Sequence, residues 1–151
     1  MIGRLELLSR RFSEGVVVPQ AVWREVVETG QGQPGSEEVA SATWIVARAV
    51  KDRALVSLLR GELDEGEAEA IALVREEQLS VVLLDEKDAR QVARRLHFQV
   101  LGTVGILIWA KRVGMIASLR EQLDALRSVG KFRLSQSVYE QALRAVGEVD
   151  V

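Results

Sequence analysis

The chain has 151 residues, 20 Lys and Arg against 22 Asp and Glu, and a formal charge of −2. That length is about the size of a single domain, long enough to bury roughly two-thirds of its unfolded surface around one core, and residues 1–151 are read as one domain. With 48% hydrophobic and 28% charged residues and no cysteine, the composition excludes a disordered chain, a disulfide scaffold, a thiol nucleophile and a thiolate zinc site, and it fits a cytoplasmic setting.

Residues 15–18, GVVV, form a β-branched run that reads as a buried strand. Pro19 follows at the first position of a helix expected over 19–28. The stretch 29–36, TGQGQPGS, reads as a surface loop. Residues 44–50 alternate enough for a second strand, and 54–60 read as a helix. A strong helix is expected over 64–77, the clearest strand at 80–84 (SVVLL), a helix over 86–96 and a strand at 98–101. The next helix, 103–113, takes Thr103 as its cap, and its apolar run 104–110 is far short of the roughly 18 residues that a membrane span needs. Residues 1–11 carry charges throughout and do not read as a signal peptide. Residues 118–128 and 135–146 each open with a serine cap, and Leu119, Leu123 and Leu126 recur at helical spacing. Strands alternating with helices predict an α/β layered fold with a mostly parallel sheet.

Two acidic clusters stand out. Five of the eight residues 62–69 are acidic, and so are three of the four residues 85–88. On a helical wheel centred on Glu67, Ala70, Ile71 and Val74 fall within about 60°, so Glu67 is expected on the apolar face. Glu65, Glu69 and Glu76 are expected on the opposite, polar face. A carboxylate turned inward needs a partner, and a divalent cation is one. The spacing D-x-x-E from Asp64 to Glu67 is also a capping box, and capping is the favoured reading of the two. Asp85, Glu86 and Asp88 follow a strand, where open parallel sheets place their sites. The ordinary alternative is Asp85 as helix cap with Asp88 in the first turn. Oxygen-rich clusters suit Mg²⁺ or Mn²⁺ and not zinc.

The segments PQAVWREV (19–26), GEAEAIALV (66–74), VVLLDEKDAR (81–90) and LGTVGILIWAKRVGMI (101–116), in that order, resemble the PIN-domain family, and specifically its VapC-like branch. The resemblance implies a three-layer α/β/α sandwich around a short parallel sheet. It implies a metal-dependent ribonuclease, a toxin held inactive by an antitoxin protein, with RNA as substrate and Mg²⁺ or Mn²⁺ as cofactor. The family's acidic positions fall here on Glu25, on Glu67 and on Glu86, with Asp85 and Asp88 as neighbours that can substitute. The segment GRLELL (3–8) matches a stretch that follows the family's first strand, so that strand and its aspartate have no counterpart here. A gap between Val16–Val18 and Val81–Leu84 is the expected consequence. Three readings stay open: a start upstream of Met1, a strand supplied by a neighbouring chain, or a member that folds and binds without cutting.

Other residues carry less. Arg90 and Arg94, one turn apart, are candidates for holding backbone phosphates, with Lys111 and Arg112 as a second basic pair. His97, the only histidine, reads as structural at a helix end, and Trp23, Trp44 and Trp109 as fillers. Gly102 and Gly105 read as a tight turn into a helix, since no phosphate-binding glycine motif is present. Two functions therefore compete: a metal-dependent ribonuclease using Glu67, Glu86 and Asp85 with Glu25, and a PIN-like module that binds protein or RNA without cutting. An uncovered sheet edge predicts a homo-oligomer.

Overall fold

The computed structural model describes residues 5–33, 35–128 and 132–148. Gly3 and Arg4 of the 3–8 segment, and Pro34 of the 29–36 loop, lie outside the described residues.

The strands form two parallel pairs. Strand β1 (Val16–Pro19) lies beside β2 (Ile45–Arg48), with Val17 opposite Val46. Strand β3 (Val81–Leu83) lies beside β4 (Gln99–Leu101), with Val82 opposite Val100. Among the described residues no ladder joins β1 to β3, which is where the gap was expected. Parallel neighbours need a crossover, and helices supply it. Between β1 and β2 run α2 (Gln20–Trp23), its π-helical continuation (Arg24–Thr29) and α3 (Ser36–Ser41). Between β3 and β4 runs α6 (Lys87–Arg95).

The expected helix 19–28 has the right extent, but its winding widens after Trp23. Gly30 closes the wide turn, because a Cβ there would stand 2.6 Å from the Val26 carbonyl oxygen. Helix α3 begins at Ser36, inside the segment read as loop, and α1 (Glu6–Arg11) was not anticipated. Both span only 6 residues, too few for a helical period to show. The other elements fall where expected: α4 (Arg53–Leu59), α5 (Glu65–Glu76), α7 (Thr103–Arg112), α8 (Leu119–Ser128) and α9 (Gln136–Ala145).

The core has two parts, one on either side of the strands. Val56, Leu59, Ile71, Leu73, Val74, Val82 and Val92 bury α4, α5 and α6 against β3, with Val17 of β1 and Val100 of β4 packed on them. Leu7, Leu107, Leu119, Leu123, Leu126 and Leu143 join α1, α7, α8 and α9. Successive strand residues point to opposite faces. Accordingly Val82 enters the first cluster, whereas Leu83 lines an apolar cleft of about 200 Å³ beneath Leu7, Leu8, Ile106 and Leu107. The result is the expected α/β/α layering. No helix among the described residues is long and apolar enough to cross a membrane.

Helices α5, α6, α7 and α9 end in the same way. The residue just past each cap, Gln78, His97, Gly114 and Gly147, has a positive φ. Each donates its N–H to the last turn, and the next residue donates one position further back, as His97 does to Arg94 and Phe98 to Ala93. His97 is thus a helix terminator whose side chain lies exposed.

The start of α8 is held from a distance. The Glu148 carboxylate accepts from Leu119 N at 2.6 Å, Arg120 N at 3.2 Å and Ser118 Oγ at 3.3 Å, and Lys111 Nζ lies 3.6 Å away. Burial by itself would raise this carboxyl, but the two backbone N–H groups, the lysine and the serine hold it below its ordinary value of 4.5. A depressed carboxyl stabilises the fold above 4.5, and that contribution is lost as pH falls through the lower folded value.

Glu148→Gln is expected to cost roughly 1–2 kcal/mol at pH 7, with the deficit shrinking below pH 4.5, as read by urea melts across pH. His97→Gly is expected to gain about 1 kcal/mol by relieving a left-handed φ of 65°, a rise of roughly 2–4 °C in Tm by calorimetry.

Candidate functional site

The acidic end of α5 is built by its own cap. Asp64 Oδ1 accepts from Glu67 N at 2.8 Å, and Glu67 Oε1 accepts from Asp64 N at 3.1 Å. That is the reciprocal box expected from the spacing. Glu67 is half-buried. Burial, and then repulsion from Asp64 and Glu86, raises its carboxyl above 4.5, against the pull of the Asp64 N–H.

The inward-facing acid on α5 is a different one. Glu69, expected on the polar face, is 1% exposed. Its Oε1 accepts from Ala21 N at 3.0 Å, and its Oε2 meets Arg53 Nη1 at 3.0 Å. Glu76, assigned to the same face, accepts from Lys51 N and Asp52 N. Glu65 does stand outward, between Arg24 at 3.3 Å and Arg60 at 3.6 Å. The wheel failed because α5 has apolar neighbours around most of its girth: Ala68, Ile71, Ala72, Leu73 and Val74 are all buried. A helix enclosed in this way has no broad polar face.

The acidic trio after β3 divides by role. Asp85 does not cap α6, as had been expected. Its Oδ1 accepts from Thr103 N at 2.8 Å and its Oδ2 from Thr103 Oγ1 at 2.7 Å, so it caps α7 and ties the end of β3 to it. Thr103 is correspondingly the first residue of α7, and Gly102 is the cap position. A Cβ on Gly102 would stand 3.0 Å from Asp85 Oδ1, so the bare backbone admits the carboxylate. Glu86 takes the cap position of α6 without a side-chain cap bond, and it is exposed. It makes no hydrogen bond or ion pair among the described residues, and its charge is felt at Glu67. Asp88 sits in the first turn of α6. There it borders a depression with Glu62, Arg94 and Arg95.

Glu25 reaches this region from another element. It lies in the first turn of the π-helical segment, exposed, with Oε2 3.9 Å from where a Cβ on Gly66 would stand. Glu25, Glu67 and Glu86 therefore come from three elements around the start of α5, whereas Asp85 is taken up by Thr103 and Asp88 borders the depression with Glu62. Among the described residues no group of three or more acidic or histidine side chains could hold a metal ion together. A Mg²⁺ site needs less, since that ion is held by one or two carboxylates and completes its shell with water and substrate phosphate. The donor chemistry around Glu67, carboxylate oxygen alone, fits such an ion.

Of the basic candidates, Arg90 is half-buried and Arg94 exposed, and neither forms an ion pair among the described residues. Lys111 and Arg112 are occupied, the one by Ala117 O and Glu148, the other by Ala145 O. The three tryptophans are half-buried, and Trp109 lies under Arg11. Arg53 escaped notice in the sequence, where Glu69 reads only as a polar-face residue and Gly66 only as part of the GEAEAIALV segment. The one available signal was that Glu69 follows the capping box by two positions in a run of buried residues.

Glu67→Gln keeps the Oε1 acceptor and removes the repelled charge. A raised carboxyl favours the fold below 4.5 and loses that advantage as pH rises through the folded value. The substitution is therefore expected to leave Tm unchanged near pH 4 and to raise it at pH 7, by scanning calorimetry without added metal. Asp85→Ala is expected to cost roughly 1–2 kcal/mol by removing the α7 cap, as read by urea denaturation.

No curated protein and no solved structure matches the chain. A family model described as PIN domain matches residues 1–148. That family carries nuclease function in general, with RNA as its usual ligand and divalent metals as its usual cofactors. The matched span takes in β1 to β4 and every acidic residue just placed, and the α/β/α layering agrees with it, so the chain belongs to the PIN-domain family.

Proposed function

We propose that the chain is a metal-dependent ribonuclease of the VapC-like toxin type, with Glu67 and Glu86 holding Mg²⁺ or Mn²⁺ and Glu25 facing them. The observation that carries this reading is that Glu67, in the first turn of α5, and Glu86, at the cap of α6 just past β3, come from separate elements close enough for one charge to act on the other. The Glu67 carboxyl is raised by burial and by the charges of Asp64 and Glu86, although the Asp64 N–H opposes the shift. Negative charge collected without an internal cation is a standing electrostatic cost, and a bound divalent ion relieves it. When bound, such an ion supplies Lewis acidity, lowering the pKa of water and offsetting charge on the leaving oxygen.

The chain's own residues account for the remainder. Glu86, exposed and free of hydrogen bonds among the described residues, is available to hold such an ion. Asp85 holds the β3–α7 corner through Thr103, so Glu86, the next residue, starts from a fixed backbone. Arg90 and Arg94 offer uncommitted guanidinium groups to the RNA backbone without reading its sequence. An antitoxin protein as partner and a cytoplasmic site of action belong to the same proposal, on the resemblance of the GEAEAI, LLDEKDAR and GTVG segments.

The test is cleavage of a fluorogenic single-stranded RNA in Mn²⁺, with EDTA and Glu67→Gln/Glu86→Gln as controls. Cleavage is expected to fall about 100-fold or more in both controls. Mn²⁺ at about 100 times its Kd is expected to raise wild-type Tm by roughly 5–10 °C and to leave the double variant unmoved. Equal cleavage by wild type and variant would sink the reading.

A second reading rests on the strands. Neither β1 nor β3 pairs along its other side among the described residues, and an unpaired edge recruits strands. On this reading the chain is a PIN-like module that self-associates or binds a partner. A monomer by light scattering at high concentration would count against self-association, and inactive wild type that elutes as an oligomer would favour the module.

A further inference from the structure

The face that α5 turns to α2 contains a residue with no side chain. Gly66 lies in the first turn of α5, next to Glu67, and its φ is not in the left-handed region. The backbone there does not require glycine, and glycine is a poor helix former. What requires it is space. A Cβ at 66 would stand 3.3 Å from Val22 Cγ2, tighter than ordinary contact, with Asp64 Oδ1 at 3.7 Å and Glu25 Oε2 at 3.9 Å. One turn further along, Glu69 accepts from Ala21 N at 3.0 Å, one residue before Val22. Residues three apart share a helix face. One face of α5 thus both admits the helix that carries Glu25 and grips its first turn.

We propose that Gly66 is a positioning residue, which sets how closely Glu25 approaches Glu67, with Glu69 fixing the start of the helix from which Glu25 projects. The proposal rests on the reading of Glu25 and Glu67 as carboxylates that hold a divalent cation. Adding a side chain at 66 pushes on Val22 and displaces Glu25 from the acidic face. The fold itself does not need Gly66, because the nearest obstacle is one methyl group of a half-buried valine.

The test uses the full chain as Gly66→Ala, Gly66→Val, Val22→Ala and Gly66→Ala/Val22→Ala. Mn²⁺ affinity is read by titration calorimetry and Tm is read without metal. Mn²⁺ binding is expected to weaken about 3-fold in Gly66→Ala and about 10-fold or more in Gly66→Val. The double variant is expected to regain wild-type affinity. Gly66→Ala is expected to raise Tm more in the Val22→Ala background than in wild type, because only there does the new Cβ escape the clash. Equal Tm increments in the two backgrounds would overturn the close approach, whatever the metal does. Unequal increments with Mn²⁺ affinity the same in all variants would overturn the positioning role and leave the ribonuclease reading standing. A wild-type chain that binds no Mn²⁺ would overturn that reading and the positioning role together.

Discussion

The Glu69 carboxylate, 1% exposed, joins three elements at one point: α5, which carries it, the first turn of α2 through Ala21 N, and the start of α4 through Arg53. A buried carboxylate is costly unless it is both paired and hydrogen-bonded, and here it is both. Removing either partner would leave charge or a donor without its match in a region where Ala68, Ile71 and Ala72 exclude water. The C-terminal end of β1, the helix that follows it and α5 therefore keep one mutual arrangement. Glu25 and Glu67 inherit their relative position from it.

A second constraint is that the strands come in two parallel pairs and not one continuous sheet. Parallel strands are normally buried on both faces. Here α4, α5 and α6 cover one face, and the α1–α7–α8–α9 cluster covers the other. α5 spans the interval, packing against both β1 and β3. Its acidic first turn and the carboxyl end of β3 come together there. That location is where open parallel sheets place their chemistry. The far layer needs its own anchor, and Glu148 provides one by gathering Leu119, Arg120, Ser118 and Lys111 at the start of α8.

The carboxylates of this chain differ by what reaches them. Asp85 has a hydroxyl and a backbone N–H from Thr103, and Glu148 has two N–H groups and a lysine, so each is satisfied inside the fold. Glu67 has one N–H and two acidic neighbours. Glu86 has no hydrogen bond or ion pair among the described residues. The acids satisfied inside the fold and those with few donors thus separate by donor supply, although Glu67, Asp85 and Glu86 all occur in the same two dense clusters of sequence.

Local features were legible directly. The box from Asp64 to Glu67, the serine caps of α8 and α9, the apolar run of β3 and the extents of α5, α6 and α7 depend on residues within one or two turns of each other, and short-range hydrogen bonds and periodicity are written in neighbouring letters. The placement of Glu67 and Glu86 near one another was expected through resemblance, and the carboxyl of one does feel the other. The inward turn of Glu69, the use of Asp85 by Thr103 and the close fit of Gly66 on Val22 were decided only by tertiary structure. Their partners stand 48, 18 and 44 positions away. A helical wheel shows which residues share a face, but not how many neighbours enclose the helix. For α5, which has cover on most sides, that number determined which carboxylate was buried.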